Sequence, residues 1–278
     1  MIFTAEVNDW NLKDTHNGCQ WILDIQGIYD IFNGRSNNLT VSQNIFNGGY
    51  YSNIPTYAGR SFTVSGAISG GSVSAVLQTV EEFKKILSLE NMRFSYTLDT
   101  TVRYMNVQLG ASGLTLKWAG PHLITYSLPL VCLDGLSYGQ QFTYSTGLPS
   151  TVGGMQLPIE YDGLKFSENV ISGIIRFNYK GTAAAPLTVI FQNVQQPTVK
   201  IYPSGEQITL TSTVNDEKKI IVDSNNMTIL LSNGNNLYNS ATVRQWLHAL
   251  PGVNYLLFSS PVYSPLSSCT VKGVEVFQ

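Results

Sequence analysis

Asn178-Tyr-Lys-Gly-Thr182, followed by Pro186-Leu-Thr-Val-Ile-Phe191, opens a stretch in which short apolar runs alternate with Gly, Pro and Asn at turn positions. The pattern continues through Ile220-Ile-Val-Asp223, Ser232-Asn-Gly-Asn235 and Leu250-Pro-Gly-Val-Asn254 to the apolar run 255–258. Gly supplies positive φ, Pro presets φ and Asn bonds its own backbone, so each cluster is a turn and each apolar run a strand. Working outward, strands are expected over 171–179, 187–192, 198–202, 207–213, 219–223, 227–231, 253–258 and 269–277. Short strands at this spacing predict a β-sandwich for the second half. The segment 240–250 fits a short helix as well as an irregular strand, because Val243, Trp246, Leu247 and Leu250 suit either.

The first half reads differently. Arg60-Ser-Phe-Thr-Val-Ser-Gly-Ala-Ile68 alternates, with Phe62, Val64, Gly66 and Ile68 on one side and Ser61, Thr63 and Ser65 on the other. That is the pattern of a half-buried antiparallel strand. Alternation also appears in 20–28, and further strands are expected within 93–98, 103–109, 114–118 and 123–131. Between them Val73, Val76, Leu77, Val80, Phe83 and Leu87 step by three or four, which predicts one amphipathic helix over about 73–89. Ser72 is a candidate cap, and Thr79-Val-Glu-Glu82 offers a capping box that starts the helix later. Lys84 and Lys85 near its end suit the helix dipole. The Gly-, Ser-, Thr- and Pro-rich stretch of about 134–156 reads as a linker, dividing the chain into domains 1–134 and 135–278.

Composition narrows the function classes. At 278 residues the chain holds one or two substantial cores, and with 43% hydrophobic and 12% charged residues it is globular rather than disordered. A net charge of -2 gives no electrostatic basis for tight binding to nucleic acid or an anionic membrane. The amino terminus shows no signal-peptide pattern, and no apolar run reaches the roughly 20 residues of a membrane span, so a soluble protein is expected. Cys19, Cys132 and Cys269 are odd in number and far apart, the arrangement of free core thiols rather than of a disulfide framework.

Candidate chemistry is sparse. His16, His122 and His248 show no metal-ligand spacing, and their plainer reading is three ordinary hydrogen-bonded or surface side chains. Gly66-Ala-Ile-Ser-Gly-Gly71 lacks both the dinucleotide and the Walker spacing and reads as a strand-to-helix turn. Glu160 and Asp162 sit too close in sequence to flank a glycosidic bond across a cleft, and read as a solvated loop. No nucleophile elbow or catalytic triad stands out. The fifteen tyrosines, among them Tyr50, Tyr51, Tyr57, Tyr138, Tyr144, Tyr161 and Tyr179, suit protein interfaces, sugar stacking or plain core and edge positions. No catalytic, metal or cofactor site is therefore expected, and the chain reads as a non-enzyme.

On the turn-punctuated elements from Asn178 to the closing strand, the second half resembles the carboxy-terminal domain of the distal tail proteins of long-tailed phages with non-contractile tails. The Arg60–Ser69 strand and the helix after it are similar to that family's amino-terminal domain. The resemblance implies a mainly β protein with an amino-terminal β-barrel-like, split-barrel domain and a carboxy-terminal galectin-like β-sandwich. It further implies a virion protein of the phage tail tip, assembled in the host bacterial cytoplasm. In that role it forms a homohexameric hub ring between the tail tube protein and the tail-tip hub protein. A central channel passes DNA, and receptor-binding or baseplate proteins are further partners. A carbohydrate-binding sandwich contacting host-surface saccharides is the alternative.

Overall fold

The computed structural model describes residues 3–24, 31, 37–38, 41–43, 50–52, 56–57, 59–98, 100–148, 173–262 and 264–278. The chain divides into two compact units, Met1–Gly139 with Phe277–Gln278, and Gln140–Val276.

The first unit is built from strands β1 (Phe3–Val7), β2 (Trp10–Asn11), β3 (Thr15–His16), β4 (Cys19–Leu23), β5 (Asn37–Asn38), β6 (Val41–Gln43), β7 (Tyr50–Ser52), β8 (Thr56–Tyr57) and β9 (Arg60–Ser69). Helix α1 (Val73–Leu87) follows, then β10 (Met92–Leu98), β11 (Thr101–Leu109), β12 (Thr115–Gly120), β13 (Leu123–Cys132) and the first residues of β14 (Ser137–Gly147), whose remainder from Gln140 belongs to the second unit. Strand β9 is the spine. It pairs along its whole length with β13, from Ser69↔Leu123 to Arg60↔Cys132, and on its other side with β4. Beyond β13, Leu109 pairs with Leu130 to bring in β11, which continues through β10 to β1. These strands and α1 contribute to one hydrophobic core.

Phe62, Val64 and Ile68 of β9 are buried while Ser61 and Thr63 are exposed, as the alternation requires. Gly66 has a packing reason: a Cβ there would lie 2.6 Å from the hydroxyl oxygen of Tyr126, its partner on β13, and 2.1 Å from the Ile22 carbonyl oxygen. Only glycine lets the Tyr126 ring lie across the strand.

Ser72 caps α1, with extended backbone and Oγ accepting from the Ala75 N–H at 3.2 Å. The later start is ruled out, because Thr79 lies inside the helix and its hydroxyl donates to the Ala75 carbonyl at 2.9 Å. Val76, Val80, Phe83 and Leu87 enter the core as expected, but Val73 and Leu77 remain 42% and 47% exposed. The reason is rotational: Thr79 takes a buried place on the helix, its hydroxyl also reaching the His16 carbonyl, and so turns Val73 and Leu77 outward.

The second unit holds β15 (Ile174–Tyr179), β16 (Ala185–Pro186), β17 (Thr188–Gln195), β18 (Thr198–Tyr202), β19 (Gln207–Leu210), β20 (Thr213–Asp223), β21 (Thr228–Leu231), β22 (Ala241–Arg244), β23 (His248–Ala249), β24 (Gly252–Ser259) and β25 (Ser268–Phe277). One sheet runs β21-β20-β17-β25 and the other β15-β24-β18-β19-β22, all antiparallel. Their buried faces meet through pairs such as Phe191 and Phe258, whose ring centroids lie 5.9 Å apart. This is the β-sandwich that the strand spacing predicts. The ambiguous segment 240–250 starts at the last residue of a 3-10 turn, Tyr238–Ser240, continues as β22 and β23, and contains no α-helix.

Two departures from the sequence pattern stand out. Residues 3–7, to which the pattern assigns no element, form β1. Within the expected linker, Ser137–Gly147 is the continuous strand β14, while residues 149–156 lie outside the described residues. Tyr138 of β14 pairs with Tyr104 of β11, and backbone pairing of this kind does not need an apolar alternation.

Candidate functional site

The residues singled out by sequence are not assembled into one centre. His16 donates from Nε2 to the Asn11 carbonyl at 2.7 Å and stacks on Trp10 with ring centroids 3.9 Å apart. His248 meets Glu206 twice: its N–H donates to Oε2 at 2.6 Å, and Nδ1 lies 2.9 Å from Oε1. His122 is exposed and offers its carbonyl to the Gly70 N–H. Among the described residues no group of three His, Cys, Asp or Glu side chains could hold a metal ion. Glu160, Tyr161 and Asp162 lie outside the described residues, and of Tyr50, Tyr51 and Tyr57 only the backbone is described.

Residues 66–69 end strand β9, and in the turn to α1 a Cβ at Gly70 would meet Cys19 Sγ and Val76 Cγ2, both at 2.7 Å, while Gly71 faces open space.

The three cysteines are free and buried. Burial pushes the Cys132 thiol up to about 12, helped by its hydrogen bond to Asp134 Oδ1 at 3.0 Å, and burial alone raises Cys269. Neither is a poised nucleophile. Asp134 also accepts from the Leu136 N–H at 2.9 Å and from the Tyr138 hydroxyl at 2.7 Å, so it organises a turn. Burial raises Tyr138, Tyr126 and Tyr179 above the ordinary phenol value as well, with the Asp134 hydrogen bond adding at Tyr138 and the Asp24 charge at Tyr126.

Tyr179 explains the Asn178-Tyr-Lys-Gly-Thr182 element. Its buried hydroxyl donates to the Ala183 carbonyl at 2.9 Å and accepts from the Val276 N–H at 2.8 Å, latching the closing strand. Gly181 stands against that hydroxyl, where a Cβ would come within 2.1 Å. Tyr144 stacks on Phe177 and Tyr138 on Tyr104, so these tyrosines are spent on packing.

Sequence reasoning missed the surface features. On the second unit Tyr202 of β18 lies directly opposite Tyr255 of β24, and Arg176 of β15 lies directly opposite Tyr255 on its other side. The two tyrosines are exposed, as are Ile174, Val253 and Leu257 on the same strands. On the first unit Leu89, Leu109, Leu133 and Trp118 are exposed. Exposed apolar clusters of this kind mark contact surfaces. No pattern in the sequence separates them from core residues, because an apolar letter reads the same on either side of a sheet.

No protein family and no curated protein matches the chain. Solved structures do. The crystal structure of the SPP1 Dit (gp 19.1) protein, described as a paradigm of the hub adsorption apparatus in phages infecting Gram-positive hosts, aligns with a TM-score of 0.71 at 13% identity, covering 100% of both chains. A chain of the phage P2 baseplate in its activated conformation with Ca aligns with a TM-score of 0.51 at 12% identity over 98% of both chains, and one from the form with Sr with 0.50 at the same identity and coverage. From end to end, this chain has the fold of phage tail hub and baseplate proteins.

Proposed function

We propose that this chain is a structural protein of a phage virion, a distal tail protein that forms a hexameric hub ring. The ring joins the tail tube to the tail tip or baseplate and leaves a central channel for DNA. Its partners are further copies of itself, the tail tube protein, the tail-tip hub protein and, further out, receptor-binding or baseplate proteins. The observation that carries this reading is the end-to-end likeness to the SPP1 Dit hub protein, which spans both units in order rather than one shared domain. Light scattering and negative-stain microscopy of the full chain, alone and with tail tube and tip proteins, test it. A sixfold ring with an axial hole is the expected result. A protein that stays monomeric at every concentration and binds neither partner overturns the reading.

A second reading, saccharide contact by the second unit, is favoured by the exposed Tyr202 and Tyr255 pair beside Arg176. Stacking on sugar rings uses such amphipathic aromatics. Glycan-array binding that disappears on Tyr202→Ala and Tyr255→Ala supports it, and no binding to any glycan removes it.

A further inference from the structure

The first unit carries two unlike apolar features at opposite ends of strand β13. At one end two depressions, of about 450 and 470 Å3, share Glu90, Asn91, Met92 and Gln108 and so form one continuous groove. Leu89, Leu109 and Leu133 line it, with Leu89 54% and Leu133 64% exposed. Single exposed leucines are ordinary, but three around one groove form a patch that water covers poorly.

At the other end is Trp118. Strand β12 pairs with β13 and, among the described residues, with no other strand, so its outer edge is free. Trp118 stands directly opposite the buried Ile124, on the core-facing side of the sheet, yet it remains 50% exposed. It overhangs the end of the core rather than filling it. From Ile124 to Cys132, just before the groove, β13 advances by eight residue steps, about 26 Å of extended chain.

Charge matches the two features. The segment 110–123 that carries Trp118 holds Lys117 and no carboxylate. The groove carries Glu90 and Asp134 against Arg93, an excess of one negative charge. A contact between like patches needs self-complementarity, whereas ring closure needs two different complementary patches on one chain. The knob and the groove are such a pair.

We propose that neighbouring copies join head to tail, the Trp118 indole of one copy seated in the Leu89–Leu133 groove of the next. This rests on the ring reading above and names the surfaces that close it. A buried indole of roughly 200 Å2 at the centre of an interface is a characteristic hot spot.

Two measurements on the full chain test it. In the first, Trp118→Cys and Leu133→Cys proteins are mixed and oxidised. The native thiols are buried and do not compete. The mixture should give a disulfide-linked dimer that neither variant gives alone, and the double variant should give a ladder ending in a closed ring. A ring seen by microscopy without the 118–133 bridge overturns the groove assignment and leaves the ring reading standing. Absence of both association and bridging overturns the two together. In the second, Trp118→Ala should raise the concentration for half-assembly by at least about tenfold, as loss of a hot spot does, while Leu266→Ala at an exposed position of the second unit should leave it unchanged. An unchanged value for Trp118→Ala overturns the assignment, and so does a Leu133→Asp variant that assembles normally.

Discussion

In the first unit Nε and Nη2 of Arg60, Nε of Arg103, the indole nitrogens of Trp10 and Trp21, the Asn8 amide nitrogen and the Tyr126 hydroxyl are buried without a hydrogen-bond partner; among the described residues of the second unit no buried side-chain nitrogen or oxygen is left so. Buried polar atoms are normally paired, so the contrast is a difference in how far each unit completes itself. The second unit ties its ends from within: Tyr179 holds Val276, and Glu206 holds His248. The first relies on apolar and aromatic packing, with Trp21 4.8 Å from Phe83 and 5.1 Å from Tyr126 between ring centroids. It also leaves Leu89, Leu133 and Trp118 uncovered. Both units combine ring packing with directional bonds, as Phe191 with Phe258 in the second and Asp134 with Tyr138 in the first show, and the unpaired polar atoms are what set the first apart.

Hydrogen exchange read segment by segment can break this contrast or sharpen it. The largest effect is expected from Phe83→Ala. Removing this fully buried ring from the Trp10–Trp21 cluster should destabilise the first unit by about 4 kcal/mol. Protection in the second unit should not change, and a matching loss there ends the idea that the units are separately held. Next is Tyr179→Phe, which keeps the ring but strips a partner from both the Ala183 carbonyl and the Val276 N–H. About 2 kcal/mol should be lost from the second unit. An unaffected Val276 amide would show that packing, not the latch, holds that strand.

Alkaline pH acts on both units. Cys132, Tyr126 and Tyr138 in the first and Cys269 and Tyr179 in the second are all raised, chiefly by burial. A raised acid keeps its full stabilisation below its unfolded value. For Cys132 the contribution is therefore intact below pH 9 and eroded as pH climbs toward about 12, by at most about 1.4 kcal/mol per pH unit. Urea midpoints at pH 8 and pH 10.5 should fall in both units, and further in the first, which carries three such groups. A flat profile refutes the burial assigned to these groups. The smallest effect is Ser72→Ala, about 1 kcal/mol from loss of the helix cap, visible as faster exchange at the first turn of α1.

The fold was legible wherever a side chain's period carried its own burial. The Phe62, Val64 and Ile68 alternation and the 76–80–83–87 steps of α1 match the buried residues. Most turns of the second half stand where Gly, Asn and Pro place them, but the break at Thr211–Ser212 between β19 and β20 falls inside the expected strand 207–213 and carries none of those residues. What escaped had no period of its own. Strand β14, Ser-Tyr-Gly-Gln-Gln-Phe-Thr-Tyr-Ser-Thr-Gly, looks like a loop in composition and owes its extension to pairing and to ring contacts such as Phe142 with Phe177. The outward turn of Val73 and Leu77 depended on Thr79 finding the His16 carbonyl, a partner 63 residues away. The groove escaped for the same reason, since Leu89, Leu109 and Leu133 come from three separate places in the chain.

Asn254 carries a consequence of a different sort. Fully buried, its amide accepts from the Leu250 N–H at 3.0 Å and donates to the Leu250 carbonyl at 2.7 Å and the Gly252 carbonyl at 3.0 Å, so a single side chain fixes the whole Pro-Gly turn from the inside. With Tyr179 and Gly181 it concentrates the constraints on shape into a few letters. This chain and the SPP1 Dit protein share a fold while nearly nine residues in ten differ between them, at 13% identity.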